Sequence, residues 1–513
     1  MSLLLAAGGF AIISAKSVER RQDEGTPWFA ELEADVKIDN ETAVVMKKNQ
    51  MNRRQFLGLT GSAGLFTLTG CAGFPAITSV KSPNGLLRHA CIGVGNKGRD
   101  DWKCLMTHPK IEIAALCDVD AKFLAAAKRE FPNAHVYRDW REMFEAEGDS
   151  IDSVNISTPD HNHVIASDWA FRRGKHVYLQ KPLCKTMAES KFLREQAKEA
   201  GVVTQMGAQF NAYMSDRQTV ALLKSGVLGP VEEAHFFSTR KGLSRRKRYL
   251  PKAVPPPATL DWNLWLGTAP VRDYAPEVYH PLIWRVWHDF GSGWIGDIGC
   301  HLMSAVWRGM ELGDAAPLEV VGETGSFATP EVEAITWPTM AHLEYTFAGV
   351  KASGGKPFKF IWNDGCSDPD NLAPAKFRPA PEIEKLFTAS PLKKRPYEGK
   401  AIRCRDGWIL QPHGAKAAYA VRHDGAPVAL PQLPEAPSHY HEFVDACFAG
   451  RPASTDFAWS TYMMEAVLVG AAAERVPNTR LKWDPETRTF DNARANELLL
   501  RPNYRAGWEV AGL

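Results

Sequence analysis

The sequence predicts an α/β fold in two parts: a parallel sheet wound with helices, then an α+β half built on a large, open, mostly antiparallel sheet. Three observations carry this expectation. Between Arg88 and Gly207, short apolar runs alternate with helical stretches, the pattern of βαβ units. The first run ends in a glycine-rich turn, Gly93-Val94-Gly95-Asn96-Lys97-Gly98. Past Gly207 the alternation stops and longer sheet-like segments take over.

Composition bounds the rest. The 513 residues carry 61 Lys and Arg against 59 Asp and Glu, a formal net charge of +2, which excludes a dominating basic field and with it a nucleic-acid partner. With 45% hydrophobic and 23% charged residues the chain is globular rather than disordered or fibrous. Tryptophan is the unusual residue: 16 of them exceed the 12 tyrosines.

The segment Met46 to Cys71, MKKNQMNRRQFLGLTGSAGLFTLTGC, runs from a cationic start through a short apolar stretch to a small-residue ending. That order is an export signal. Arg53 and Arg54 before Gln55-Phe56-Leu57 resemble the twin-arginine (Tat) type, and Leu68-Thr69-Gly70-Cys71 resembles a lipobox. The expectation is a periplasmic protein whose one membrane attachment is a lipid on Cys71. Gly58, Gly61 and Gly64 interrupt the apolar run, which is too short to span a bilayer. Residues 1–45 precede a better start at Met46 and read as an extension from a misplaced start codon; residues 72–86 read as a tether. None of the nine cysteines forms a CxxC pair, and several sit in apolar strand-like runs as buried structural thiols do, so they are not read as a disulfide framework.

In the first folded part, 87–207, the expected strands are His89–Val94, Ile111–Cys117, Ser153–Ser157, His176–Gln180 and Val202–Gly207, with helices over Ala121–Glu130 and His163–Arg173. A strand, a GxGxxG turn and a following helix make a Rossmann dinucleotide-binding unit. Gly93, Gly95 and Gly98 let the backbone close on a pyrophosphate at a helix N-terminus, with Asn96 in the same turn. Asp118, at the end of the next strand, can accept from both adenosine-ribose hydroxyls and would repel a 2′-phosphate, so NAD is expected over NADP. Two further strings fall at carboxyl ends of strands, where ligands bind in an open α/β sheet: Ser157-Thr158-Pro159-Asp160-His161-Asn162-His163 and Gln180-Lys181-Pro182. They nominate Thr158, Pro159, His161, His163 and Lys181 as cofactor contacts. No acidic cluster accompanies the two histidines, so no metal is expected.

In the second part, 208–513, Val231–Thr239, Leu318–Phe327, Thr339–Phe347 and Pro357–Asn363 read as strands, and Pro255, Pro256 and Pro257 as a rigid connector. The basic run Arg240–Arg248 reads as a solvated loop. Asp297 and His301 stand at i and i+4 and share one helix face, a carboxylate beside an imidazole. The plain alternative is a capping Asp and a core His. Just upstream, Tyr279, His280, Trp284, Arg285, Trp287, His288 and Asp289 bring together aromatic faces and polar handles of the kind that suit sugar rings; the alternative for any one tryptophan is core packing. Of these, Tyr279, Trp284, Arg285, Trp287 and His288 are the expected substrate contacts. Segments His439–Ala449 and Trp459–Arg475 read as amphipathic helices, with Glu442, Asp445 and Asp456 at surface or capping positions.

The GxGxxG turn, the Thr158 loop, the Lys181-Pro182 turn and Gly296-Asp297-Ile298-Gly299-Cys300-His301 together resemble the Gfo/Idh/MocA oxidoreductase family across 87–513. The resemblance implies hydride transfer between nicotinamide and a carbinol carbon of a sugar, polyol or glycoside. It implies His301 as acid/base, Asp297 as its partner or a substrate ligand, Lys181 as a second proton carrier, and a homo-oligomer. Two positions depart from the family pattern: Gln180 replaces the glutamate of a Glu-Lys-Pro turn, and Ser304 replaces an aspartate. An NAD-dependent glycosidase working by transient oxidation and elimination, and a carbohydrate-binding or sensor protein without turnover, are the alternatives. Because free NAD is scarce outside the cytoplasm, an exported enzyme is expected to hold its cofactor tightly.

Overall fold

Six parallel strands form the first sheet: β1 (Leu87–Ile92), β2 (Ile111–Cys117), β3 (His135–Tyr137), β4 (Ser153–Ile156), β5 (His176–Leu179) and β6 (Thr204–Met206). The computed structural model that shows them describes residues 77–79, 85–239, 252–365 and 373–513. The export signal, the upstream extension, most of the tether, the basic run, Cys71 and Cys366 lie outside the described residues.

The strand order β3-β2-β1-β4-β5-β6 reverses direction between β1 and β4, which opens a crevice at their carboxyl ends. Helices α1 (Asn96–Leu105), α2 (Ala121–Glu130), α3 (Trp140–Glu147), α4 (His163–Phe171) and α5 (Met187–Ala200) make the crossovers. Local chemistry sets their ends. Asp120 caps α2 at Lys122 N, and Thr186 and Glu189 form a reciprocal capping box on α5. β3 is absent from the sequence expectation because it is three residues long and mostly exposed, leaving no apolar run to detect.

The second sheet has nine strands in the order β13-β12-β11-β7-β10-β9-β8-β14-β15. They are β7 (Val231–Ser238), β8 (Pro317–Gly325), β9 (Met340–Phe347), β10 (Phe358–Asp364), β11 (Glu398–Cys404), β12 (Gly407–Pro412), β13 (Tyr419–Arg422), β14 (Arg480–Asp484) and β15 (Thr489–Phe490). Only β7 and β10 pair in parallel; the other contacts are antiparallel. The sequence pattern missed β11 to β15. β11 buries Glu398 and Lys400 among small residues, so it shows no hydrophobic alternation, and β15 is two residues long.

Five more helices matter for the site: α6 (Met214–Ser225), α7 (Trp262–Leu266), α8 (Gly293–Gly309), α9 (His439–Ala449) and α10 (Phe457–Arg475). α8 lies between α6, α10 and the sheet and is buried along almost its whole length. α10 departs from the amphipathic expectation: burial runs round the helix from Phe457 to Glu474, because sheet and helices enclose it. Asp456 caps it at Ala458 N. α9 is amphipathic as expected; Glu442 accepts from Ser454 N, and Asp445 is a surface residue beside His108. The seven described cysteines are free, and all but Cys104 are buried.

Residues 252–290 form a strap with its own small core of Leu260, Trp265, Tyr279, Trp287 and Phe290. It joins the parallel sheet by backbone bonds from Ala121 N to Thr259 O at 2.9 Å and from Asp261 N to Val119 O at 3.0 Å.

Candidate active site

The glycine turn closes tightly on the neighbouring strand loop. Gly93 has φ +79°, and a Cβ there would lie 2.7 Å from Ser157 O. α1 begins after Gly95 without a side-chain cap at its N-terminus, and Asn96 adopts φ +44°. Asp118 stands at the end of β2. Its Oδ2 accepts from Val94 N at 2.9 Å and Gly95 N at 3.2 Å, and its Oδ1 accepts from Asp120 N at 2.9 Å. Burial raises this carboxyl, opposed by those amides. The open face of Gly95 is taken by a side chain: a Cβ there would meet the Phe123 ring at 2.5 Å. Among the described residues, Thr158 Oγ1 is buried without a partner at the β4 end of the crevice. Uncapped helix amides, a carboxylate at the β2 terminus and an orphaned hydroxyl across the crevice fit a dinucleotide.

Lys181 follows β5 and reaches α8. Its Nζ donates to Asp297 Oδ1 at 2.6 Å and to Asp297 O at 2.7 Å, and Arg285 Nε donates to the same Oδ1 at 3.1 Å. The lysine and aspartate side chains are only 10% and 11% exposed, so the pair is largely desolvated. Burial by itself would raise the Asp297 carboxyl; Lys181 and Arg285 together outweigh it and hold it at about 2. Asp160 shows the opposite balance. Burial pushes its carboxyl up to about 7 against Arg285, Lys185 and Lys181, while Asp297 adds to the rise. Lys185 is lowered to about 8 by burial, in part offset by Glu189 and Asp160.

His301 lies one turn beyond Asp297 on α8. Burial, then Lys181 and His413, push its imidazole well below the usual histidine range, so it rests neutral. The helix does not pair it with Asp297, whose carboxylate is committed to Lys181 and Arg285. Phe210 stands edge-on to the ring at 5.1 Å and His413 lies 5.3 Å away, while Nδ1 has no partner among the described residues.

Comparison with known proteins places this geometry. Residues 87–208 match the profile of an oxidoreductase family with an NAD-binding Rossmann fold, and residues 221–349 match the C-terminal alpha/beta domain of the same family. The chain belongs to the Gfo/Idh/MocA family. Similar curated proteins are levoglucosan dehydrogenase of Pseudarthrobacter phenanthrenivorans, 24% identical over 37% of this chain and 40% of the relative, and D-apiose dehydrogenase of Paraburkholderia graminis, 30% identical over 34% and 47%. A third is the alpha-N-acetylgalactosaminidase of Shewanella oneidensis, 26% identical over 37% and 47%. The chain thus spans less than half the length of each. Among solved structures, levoglucosan dehydrogenase with NADH and levoglucosan superposes with a TM-score of 0.53 at 15% identity, covering 77% of this chain and 98% of that one. The aldose-aldose oxidoreductase from Caulobacter crescentus, complexed with glycerol, has a TM-score of 0.52 at 15% identity, covering 77% and 99%. These likenesses show a shared fold.

In this Gfo/Idh/MocA chain the two histidines of the β4 loop brace the crevice from behind. His161 bonds Trp265 O at 3.0 Å and packs against the Trp265 and Phe290 rings, so it joins the loop to the strap. His163 stands between the two loops that carry Thr158 and Lys181, with Nδ1 2.8 Å from Pro182 O and Nε2 2.9 Å from Thr158 O; its one ring proton bonds one of these carbonyls, and the other is a packing contact. Burial lowers them to about 3 and about 4 respectively, so both are neutral. Pro159 accepts from Asn162 N at 3.1 Å and shapes the same loop.

The tryptophan-rich wall expected for substrate is a hydrophobic core in this Gfo/Idh/MocA chain. Trp287 is 0%, Tyr279 4% and Trp284 5% exposed. Trp262 stacks on Trp265 at 4.6 Å, Trp287 Nε1 donates to Val278 O at 2.7 Å, and His288 packs edge-on against Trp337 at 5.0 Å. Arg285 alone of the five nominated residues reaches the Lys181–Asp297 pair. Two surface clefts along the strap, one lined by Pro255, Trp262, Arg272 and Tyr274 among others and the second by Arg272, Tyr279 and Trp287 among others, touch none of Lys181, Asp297 and His301.

The half-buried groups that do adjoin His301 are Phe210 and His413, with exposed Tyr213 beyond them at 4.9 Å from the Phe210 ring. Sequence reasoning passed over all three. Phe210 and Tyr213 follow β6, beyond the Gly207 boundary, and His413 follows β12, which has no detectable alternation.

Proposed function

We propose that the chain is an NAD-dependent oxidoreductase acting on a carbinol carbon of a sugar, polyol or glycoside. The Lys181–Asp297 pair beside a neutral, buried His301 carries this reading. When bound in the crevice, NAD would supply the hydride acceptor and, in the reverse direction, the hydride. Lys181, oriented by Asp297, presents an ammonium to the carbinol oxygen, and His301 takes the hydroxyl proton as hydride leaves the carbon. Arg285 keeps Asp297 ionised when Lys181 turns to substrate. Phe210, Tyr213 and His413 supply the C–H-stacking and polar contacts that the buried tryptophans do not. The Asp118 carboxylate favours NAD over NADP. Levoglucosan and D-apiose dehydrogenases among the relatives support a carbohydrate substrate. Met46–Cys71 supports Tat export to the periplasm with a lipid on Cys71, and thereby a cofactor retained through the catalytic cycle.

A second reading is an NAD-dependent glycosidase, favoured by the alpha-N-acetylgalactosaminidase relative. Oxidation at a ring carbon would acidify the neighbouring C–H, elimination would expel the anomeric substituent, and water addition followed by reduction would restore the sugar. Native protein is purified and its cofactor identified by absorbance and mass spectrometry, then incubated with sugars, polyols and aryl glycosides with and without an external acceptor. Acceptor-dependent keto-sugar supports the oxidoreductase, and aglycone release without acceptor supports the glycosidase. Retention of full turnover in both Lys181→Ala and His301→Ala overturns the site.

A further inference from the structure

Directly behind Lys181 lies a buried carboxylate with no role in the reading above. Asp101, on α1, is 0% exposed. Its Oδ1 accepts from Gln180 Nε2 at 3.0 Å and Tyr440 Oη at 2.9 Å, and faces Lys97 Nζ at 3.1 Å. Its Oδ2 accepts from Gln180 Nε2 at 2.9 Å and Ser157 Oγ at 2.7 Å. Gln180 faces the other way with its oxygen, which accepts from Lys181 N at 3.2 Å. The amide's two ends are therefore assigned by their partners: nitrogen to Asp101, oxygen to the backbone of Lys181. Gly207 gives this amide its room, since a Cβ there would meet it at 2.7 Å. A second branch runs from Ser157 through Asn155 Nδ2 at 2.8 Å and on to His89 Nε2 at 3.1 Å from Asn155 Oδ1. The same carboxylate thus anchors three parts of the crevice: the β4 end at Ser157, the Lys181 turn through Gln180, and the C-terminal helix α9 through Tyr440.

We propose that Asp101 is a positioning residue that sets Lys181 through Gln180, and that positions 101 and 180 work only as one acid and one amide. The physical reason is local. A carboxylate at 180 would still accept from Lys181 N but would turn its second oxygen on Asp101 with no proton between them. Two buried carboxylates in contact cannot both stay ionised, so one must take a proton or the turn must move. The groups facing Asp101 that bear on its charge are Lys97, Tyr440, Tyr178, Cys91, Cys104 and Asp100. Lys97 is the one cation among them, sufficient for one carboxylate and not for two. Gln180 therefore does not leave Lys181 without an acid nearby: Asp297 holds the ammonium, and Asp101 holds the turn.

The proposal rests on the assigned role of Lys181, and four proteins test it: wild type, Gln180→Glu, Asp101→Asn and Asp101→Asn/Gln180→Glu. In holoenzyme assays Gln180→Glu is expected to lose on the order of 30-fold in kcat at pH 7.5 with the KM for substrate within about twofold, and to recover as pH falls toward 5, because one added proton remakes the bond. Asp101→Asn loses on the order of tenfold without acid recovery, since at any pH one of the two oxygens that accept from Gln180, Ser157 and Tyr440 has become a donor. The double variant exchanges the two groups and returns to within about threefold of wild type. Wild-type kinetics in both single variants, or a double variant no better than the worse single one, overturns the proposal. The side-chain signal of Lys181 in isotope-labelled protein, assigned by its loss in Lys181→Ala, is read in parallel. It is expected to shift in each single variant and return in the double. If wild type turns over no sugar, the proposed function fails while this signal still decides the positioning: a signal unmoved in both single variants overturns it. Should Gln180→Glu fail to fold, Asp101→Asn and the double variant make the same comparison.

Discussion

Lys181 Nζ sits 2.6 Å from Asp297 Oδ1 and 2.7 Å from the carbonyl oxygen of the same residue, so a turn of the parallel sheet is bonded to a helix of the second half through one ammonium. Geometry and charge coincide here. Replacing Lys181 by Met removes the proton donor and leaves the buried carboxylate with Arg285 alone. Turnover is expected to fall by about 10²–10⁴, and stability by roughly 3 kcal/mol, as when one partner of a buried pair is removed. Retained NAD, read by absorbance after gel filtration, should be unchanged; its loss would mean that Lys181 holds the cofactor rather than the carbinol oxygen.

The same pair sets an acid limit. Asp297 is depressed to about 2 from an ordinary 3.8, so its contribution is present above pH 3.8 and lost as pH falls toward 2. Asp160 has the reverse sign. Its carboxyl is raised from 3.8 to about 7, so its contribution is complete below pH 3.8, declines as pH rises, and is gone above 7. Asp160→Asn fixes the uncharged state and keeps an oxygen for Ser292 N, which Asp160 Oδ2 now holds at 3.1 Å. The melting temperature of the variant relative to wild type is expected to climb from pH 5 to 7 and level off by pH 9. A constant difference over that range would show that Asp160 is ionised throughout.

The parts of this site that the sequence exposes are those set by local rules. The GxGxxG turn, Asp118 and the i, i+4 spacing of Asp297 and His301 follow from strand ends and helix periodicity, which neighbouring residues determine. What a side chain touches across the molecule does not. His161 and His163 stand in a ligand-like string, yet their nitrogens are committed to carbonyls of the strap and of the Lys181 turn. Asp297 sits at the right spacing for His301, and long-range contacts with Lys181 and Arg285 take its carboxylate. The tryptophans illustrate the same point, because aromatic clustering reads alike for a sugar platform and for a core. Only burial separates the two.

That separation can be measured. Trp287, fully buried with its indole nitrogen on Val278 O, is expected to cost about 3–5 kcal/mol on replacement by Ala, seen as a large drop in melting temperature. Tyr213 is 43% exposed beside Phe210, and Tyr213→Ala should leave the melting temperature within about a degree or two. The substrate KM should instead rise roughly three- to tenfold, the scale of one aromatic contact. A KM insensitive to Tyr213 would place the substrate mouth elsewhere.

The strap is latched beside the adenosine end of the crevice by His280. The Trp265 indole can only donate, and its nitrogen lies 3.1 Å from His280 Nδ1, so Nδ1 is the acceptor and the ring proton sits on Nε2. Nε2 then donates to Asp120 Oδ2 at 3.1 Å, two residues beyond Asp118. His280→Ala breaks both bonds at once and loosens the strap over the loop that carries Asp118, to which the Ala121–Thr259 and Asp261–Val119 backbone bonds still hold it. NAD is expected to leave the purified holoprotein about tenfold faster, the equivalent of roughly 1.4 kcal/mol, with the melting temperature of the cofactor-free protein much less affected. His280→Gln, which offers an acceptor and a donor of similar reach, should recover most of the retention. Release measured by filtration and absorbance distinguishes the cases: an unchanged rate in His280→Ala would show that the cofactor leaves by a route the strap does not cover.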